Sequence, residues 1–333
     1  MQPGLNAVQS QLQNIRDRLQ RREAPVTRPI AFAAEATEAP DSPWSALAYN
    51  GARDSKSPIL KTPAQPAPAP DPKLGVWGTG YGDWETRRGT FALIDIGRTG
   101  RTGGGIGGID VTFRNITSAT DAFVVGVIGG AMSSRVTNND GSIAQIDAPS
   151  TGVYATYVNG GFSTDVTFKV DFIDVISRPP GIAETRVHLD NYSTAANLNY
   201  KFEFDPSWFE PTVGVVVSRT IWDAESAVQG FTNGRGVRVQ GGARYGTSWL
   251  WGTVRVEPTV MGLLYSDVTI EGGTLVSVIA PLVPTDEGKL FALGNGKVNL
   301  DFGNGWSANV EGEVRGRTGV LGTAVRGGLR YQF

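Results

Sequence analysis

From Val76 to its last residue, Phe333, the chain is written with a period of two. In "DVTFKVDF" Val166, Phe168, Val170 and Phe172 alternate with Asp165, Thr167, Lys169 and Asp171. In "ANLNYKFEF" Leu198, Tyr200, Phe202 and Phe204 oppose Asn197, Asn199, Lys201 and Glu203, and in "SANVEGEVRG" Ala308, Val310, Gly312 and Val314 oppose Asn309, Glu311, Glu313 and Arg315. Successive side chains of a strand point to opposite faces, so each run reads as a strand with one apolar and one polar side. Twelve such segments are legible, roughly 76–86, 104–115, 121–133, 151–162, 164–177, 194–204, 208–220, 235–246, 248–263, 288–302, 306–316 and 320–333.

Two architectures use strands of this kind. A soluble sandwich or barrel turns the apolar face inward; a membrane barrel turns it to lipid and keeps charge in the lumen. Most segments reach the length of about 9 to 11 residues that a tilted strand needs to span a bilayer, whereas a soluble strand averages about 5 to 6. Connections after the even-numbered segments are short, as in "DPS" at 205–207 and "GNG" at 303–305, and those after odd-numbered ones are longer, as at 134–150, 178–193 and 264–287, with 317–319 the exception. Alternating short turns and long loops, with an even strand number, are the pattern of outer-membrane barrels. Trp77, Trp84, Trp208, Trp249, Trp251, Trp306, Tyr331 and Phe333 lie near segment ends, where interfacial aromatic girdles belong. In the last strand Leu321, Val325, Leu329, Tyr331 and Phe333 share one face, and Arg326, Gly328, Arg330 and Gln332 share the other. The expectation is an all-β transmembrane fold, a single antiparallel 12-stranded outer-membrane β-barrel preceded by a short α-helix and a Pro-rich linker.

The divisions are 1–24, 25–75 and 76–333. Leu5, Val8, Leu12, Ile15 and Leu19 recur three and four residues apart, an amphipathic helix whose stripe packs either on its own domain or against another helix. Residues 25–75 culminate in "TPAQPAPAPDPK", a linker with no means of burying a core. The start, "MQPGLNAVQSQ", shows no charged region followed by an apolar one, so no signal peptide is visible and an exported protein would be represented by a mature form or a piece.

Composition narrows the function classes. A net charge of −2 provides no basic surface for nucleic acid, the absence of cysteine excludes thiolate chemistry, and a single histidine excludes most histidine-based sites. That residue, His188 in "RVHLD", lies near Asp190 in an expected external loop and reads as an ordinary loop histidine. "GRTGRTGGGIGG" at 97–108 and "GNGK" at 294–297 lack a phosphate loop's spacing and read as barrel glycines, which let strands curve and let a lumen occupant approach. Neither an enzymatic role nor a cofactor or metal is expected. The polar strand faces place Lys169, Asp171, Lys201, Glu203, Arg238, Arg244, Arg255, Glu257, Glu311, Glu313 and Arg315 in the lumen, together with Asp110, Arg114, Asp165, Glu210, Lys297, Asp301, Arg326 and Arg330. Their signs nearly balance, which suits either mutual pairing between strands or a hydrophilic passage for a polypeptide, and disfavours a strongly ion-selective pore.

The ending Arg326-x-Gly328-x-x-Tyr331-x-Phe333 resembles the C-terminal signal by which bacterial outer-membrane proteins engage the barrel assembly machinery. Together with "VWGTGYGDW", "GVYATYVNGGF", "GWSANVEGEVRG" and "GLRYQF", it makes residues 76–333 resemble the translocator domain of monomeric autotransporters. The resemblance implies a twelve-stranded barrel in the outer membrane of a Gram-negative bacterium, lipid as its surroundings, and a pore occupied by the helix or linker while the N-terminal segment is passed and anchored. In that family the pore helix lies close before the first strand. Here some fifty residues intervene and only about 75 precede the barrel, too few for a sizeable passenger. The apolar stripe would also meet no greasy wall in a polar lumen. The expectation is therefore that the helix lies outside the pore, its Arg16, Asp17, Arg18, Arg21 and Arg22 otherwise being suited to Glu203, Glu257, Glu311 and Glu313. The alternative function is a barrel without a passenger whose residues 5–19 bind an envelope partner.

Overall fold

The computed structural model describes residues 3–21 and 72–333, apart from 92–93, 96, 182, 225–231, 272–275, 278–279 and 282–289. One helix, α1 (Pro3–Gln20), precedes twelve barrel strands. These are β1 (Lys73–Arg87), β2 (Arg98–Arg114), β3 (Asp121–Asn138), β4 (Ile143–Asn159), β5 (Phe162–Arg178) and β6 (Thr185–Tyr200). They continue as β7 (Ser207–Trp222), β8 (Gly234–Thr247), β9 (Val254–Glu271), β10 (Leu290–Gly303), β11 (Trp306–Arg317) and β12 (Val320–Gln332). Short pieces at Phe202–Phe204 and Trp249–Trp251 pair with the starts of β7 and β9. The expected linker, 25–75, falls outside the described residues as far as 71.

Each strand pairs antiparallel with its sequence neighbours. β12 pairs with β1 from Gly75↔Gln332 to Arg87↔Val320, which closes the sheet. Phe333 completes the seam: its N–H donates to the Leu74 carbonyl at 2.9 Å, and Trp306, Tyr331 and Phe333 contact one another in sequence, tilted and then edge-on, with centroids 4.8 and 4.7 Å apart. Closure leaves no strand edge, the condition for placing β-structure in hydrocarbon.

The end of the barrel that holds Lys73 and Phe333, here the terminal end, has tight turns. Gly303, Asn304 and Gly305 all adopt positive φ between β10 and β11, and a Cβ on Gly305 would strike the Gln332 carbonyl. At the opposite, distal end the contrast in loop length is weaker than the sequence suggests. The expected loops 134–150 and 178–193 are mostly strand, since β3 runs to Asn138 and β4 restarts at Ile143, while β5 runs to Arg178 and β6 restarts at Thr185. Long connections remain at 88–97, 223–233 and 272–289. Strands of 12 to 18 residues exceed a bilayer's thickness. Past the apolar band the outer face has no need of apolar side chains, so the period-two signal fades although the hydrogen-bonded ladder goes on. His188 is accordingly a β6 strand residue, in register and side-chain contact with Asp174 rather than Asp190.

The two faces of the sheet separate cleanly in β12: Gly322, Ala324, Arg326, Gly328 and Arg330 are buried, and Leu321, Val325, Leu329 and Phe333 are exposed. In β5 Phe168 is 40% exposed and Lys169 2%. Trp77 and Trp208 correct the expected girdle. Both are buried in the lumen, because each shares its parity with polar neighbours (Thr79 and Asp83, Glu210 and Thr212) and not with the outward residues Val76 and Phe209.

Arginine in place of Phe168 should cost about 2 to 4 kcal/mol on reconstitution into bilayers, whereas Lys169→Ala should cost clearly less than that. Single cysteines at the two positions test the faces directly: a lipid-phase reagent should label 168 and spare 169, and the reverse pattern refutes the assignment.

Candidate functional site in the barrel lumen

The helix lies inside the barrel. This overturns the expectation that it sits outside, and the reason is that the lumen has two kinds of wall. On β1 to β4 the inward parity carries Trp77, Ile106, Val124, Ile128 and Tyr154, and these form one buried cluster with Ala7, Val8, Leu12 and Ile15 of α1. Leu19 and Tyr81 pack against the same cluster, and Leu5 meets Ala195 and Val216 on β6 and β7. The apolar stripe of the helix thus has the greasy partner that a purely charged lumen would deny it. Glycine makes room for that wall: a Cβ on Gly108 would enter the Trp77 indole. The indole donates to the Tyr154 hydroxyl at 2.8 Å, the hydroxyl donates to Asp110 at 2.6 Å, and Arg330 clamps Asp110 with two bonds of 2.5 and 2.6 Å.

The polar side of α1 meets the remaining wall through charge. Arg16 spans Asp165 on β5 at 3.0 Å and Glu210 on β7 at 2.7 Å. Arg244 on β8 reaches Asp17 at 2.8 Å and Glu210 at 2.9 Å. All five side chains are at most 4% exposed, so the ions stand in for one another's water and none can leave without stranding a partner. Above this group Ser10 donates to Glu311 at 2.5 Å, Gln11 donates to Thr79 at 2.6 Å and to Asn309 at 3.0 Å, and Lys297 donates to the Ser10 carbonyl at 3.2 Å. A Cβ on Gly328 would displace Gln11, so this glycine of the C-terminal motif also admits the helix. At the terminal end Arg18 donates to Ser307 at 3.3 Å and lies 3.8 Å from Asp301, and Gln20 donates to the Gly161 carbonyl at 3.1 Å.

Among the expected lumen residues, Lys169, Asp171, Lys201, Arg244, Glu257, Glu311 and Glu313 are buried. Lys169 pairs with Asp171, and Arg326 bridges Glu311 and Glu313 at 2.5 and 2.8 Å. Arg315 binds Asp83 at 2.7 Å and Glu313 at 3.1 Å. Lys201 lies 4.8 Å from the Trp208 ring. Arg238 and Arg255 are half-buried, Arg238 paired with Asp267 at 2.6 Å and Arg255 in register with Asp301. Glu203 is the exception: its exposed side chain sits in the short Phe202–Phe204 piece at the terminal rim, beyond the lumen. Of the four carboxylates expected to meet the helix, Glu311 contacts Ser10, while Arg16 and Asp17 find Asp165, Glu210 and Arg244 instead. Arg22 lies outside the described residues. Beside the helix a slot of about 70 Å³ remains, room for a handful of waters. Beyond its N-terminal end the lumen widens into a vestibule of about 490 Å³, lined by Pro3, Asn6, Glu85, Arg98, Arg238 and Arg315 among others.

Asp17 and Arg244 should be strongly coupled. A cycle of Asp17→Asn, Arg244→Met and the double variant, measured by unfolding, should return an interaction of roughly 2 to 3 kcal/mol; additive effects would mean that the helix is not held by this pair.

The autotransporter β-domain model matches residues 76–313. The β domain of the Bordetella autotransporter BrkA is 15% identical with a TM-score of 0.62, covering 78% of this chain and 98% of that one. The translocator domain of NalP from Neisseria meningitidis is 14% identical with a TM-score of 0.54, covering 78% and 88%. The transport unit of AIDA-I from Escherichia coli is 15% identical with a TM-score of 0.53, covering 83% and 94%. No curated protein matches by sequence. At these identities the solved structures speak for the fold, and the family match, which takes in the seam strand β1 and the lumen-charged strands through β11, speaks for descent. The chain belongs to the autotransporter β-domain family, as a twelve-stranded barrel of the Gram-negative outer membrane.

Proposed function

We propose that the barrel is a translocator that anchors its own N-terminal segment in the outer membrane and retains α1 in the pore, without chemistry of its own. The observation that carries this reading is the seating of α1. Gln20 is held at the terminal end by the β4–β5 turn, and Pro3 opens onto the distal vestibule, so whatever chain precedes Pro3 is directed out of the distal mouth. In this reading the terminal end faces the periplasm. The alternative, an envelope partner bound through residues 5–19, loses its surface, because Leu5, Val8, Leu12 and Ile15 are buried against the lumen wall.

The barrel assembly machinery is proposed as the partner in insertion, through Arg326, Gly328, Tyr331 and Phe333. Changing Tyr331 and Phe333 together to alanine removes the aromatic contacts at the seam. The double variant should lose heat-modifiable migration on gels; a compact species in outer-membrane fractions would show that the signal lies elsewhere.

Two measurements test translocation and plugging separately. An epitope tag before Met1 should be shaved by protease from intact cells, and a protected tag reverses the orientation. Removing residues 1–60 should raise single-channel conductance severalfold, since α1 packs against the apolar arc on one side and the charged arc on the other. An unchanged conductance would mean that the helix does not close the pore.

A further inference from the structure

The outer face of β1 to β3 carries a feature that neither lumen filling nor lipid contact explains. Arg101 on β2 stands directly in register with Arg135 on β3, both exposed on the outward parity. Like charges facing each other across strands repel, and neither guanidinium makes an ion pair or a side-chain hydrogen bond among the described residues. The row continues to Trp84 on β1, in register with Arg101. The next row outward is Thr86, Thr99 and Thr137, three exposed hydroxyls again in direct register. The next row inward is Gly82, Gly103 and Ser133. The Trp84 indole folds over Gly82, and a Cβ built on Gly103 meets nothing within 4 Å, so a notch lies open beneath the arginines.

The height of the patch identifies its medium. On β2 the outward residues from Phe113 to Arg101 are Val111, Ile109, Gly107, Gly105 and Gly103; on β3 those from Phe123 to Arg135 are Val125, Val127, Gly129, Ala131 and Ser133. None is charged. About 12 residues at about 3.4 Å each, on strands tilted about 40°, place the arginines roughly 30 Å above the terminal aromatics, just past an apolar band of about 25 Å. That is headgroup depth in the distal leaflet, and Trp84 marks the same interface. In the arginines' own two rows the flanking strands supply no opposite charge. β12 offers Thr323 and Leu321 beside Trp84 and Thr86. β4 offers Gln145 and Ile143 in register with Arg135 and Thr137, and its Asp147, in register with Ser133, accepts a hydrogen bond from Gln145 at 3.3 Å.

We propose that Arg101 and Arg135, with the hydroxyls of Thr99 and Thr137, form a binding site for a phosphate-bearing lipid headgroup of the distal leaflet, its acyl part lying along the glycine notch beside Trp84. Guanidinium groups offer phosphate paired N–H donors in matching planar geometry, and the phosphate cancels the repulsion between them. A second outward pair, Arg219 and Arg235 on β7 and β8, serves as the internal contrast, because there Glu271 stands in register with Arg235 and supplies a carboxylate to the same row.

The test uses the full folded chain in detergent and titrates diphosphorylated lipid A, its dephosphorylated form and inorganic phosphate. Arg101→Gln with Arg135→Gln should weaken diphosphorylated lipid A by about tenfold or more. Arg219→Gln with Arg235→Gln should leave that affinity within about twofold, and the dephosphorylated form should bind the parent chain poorly. Both double variants change exposed side chains outside the lumen and should keep heat-modifiable migration, which certifies their folding. The proposal is overturned if the Arg101/Arg135 variant binds like the parent, if both double variants lose affinity equally, or if the dephosphorylated lipid or inorganic phosphate binds as tightly as diphosphorylated lipid A.

Discussion

Pairing of β12 with β1 is the constraint on which everything else rests. A spanning strand with an open edge would present a row of bare N–H and C=O groups to hydrocarbon, at a cost of several kcal/mol for each group left unsatisfied. The seam runs the length of both strands and ends on the Phe333 N–H, so the final residue of the sequence is also the last rung of the ladder. Once the cylinder is closed, each strand residue faces either lipid or lumen, and its parity decides which. Phe168 and Lys169, Leu329 and Arg330 are placed by that single rule.

A closed cylinder still has to fill its interior. Twelve strands enclose a space wide enough for one helix, and the inner wall is built to receive one asymmetrically. The β1–β4 arc is glycine-rich and aromatic, and takes the apolar stripe of α1. The opposite arc supplies Asp165, Glu210 and Arg244, whose charges would be costly to bury without Arg16 and Asp17. Hydrophobic burial supplies attraction without direction, while the ion group fixes the rotation and depth of the helix. Strand-to-strand pairs such as Arg330 with Asp110, or Arg326 with Glu311, line the rest of the lumen, so each of these carboxylates also has a partner on the barrel wall.

Much of the architecture was legible in the residues. Strand number and the seam strand both follow from period-two alternation, which is a local property. The misreadings have local causes as well. Distal strand extensions, such as Ser134–Thr137 opposite Ile143–Ile146, lack alternation because no lipid faces them, and so they resemble loops. Trp77 and Trp208 resemble girdle residues by position along the strand, and only their parity with Thr79 and Glu210 betrays them as lumen residues. Glu203 has the right parity but lies past the point where the lumen ends.

The sequence by itself determined the two faces wherever the strands alternate and the amphipathic character of residues 5–19, because both are set by neighbours within a few positions. Where that helix would go was decided only by the tertiary structure. Trp77, Ile106, Val124, Ile128 and Tyr154 come from four strands, each an apolar or aromatic exception on a polar inward face, while Asp165, Glu210 and Arg244 come from three others as ordinary members of theirs. Closing the sheet brings these scattered residues onto two facing arcs, and position around a closed ring depends on every strand's register at once, which no local stretch of sequence encodes.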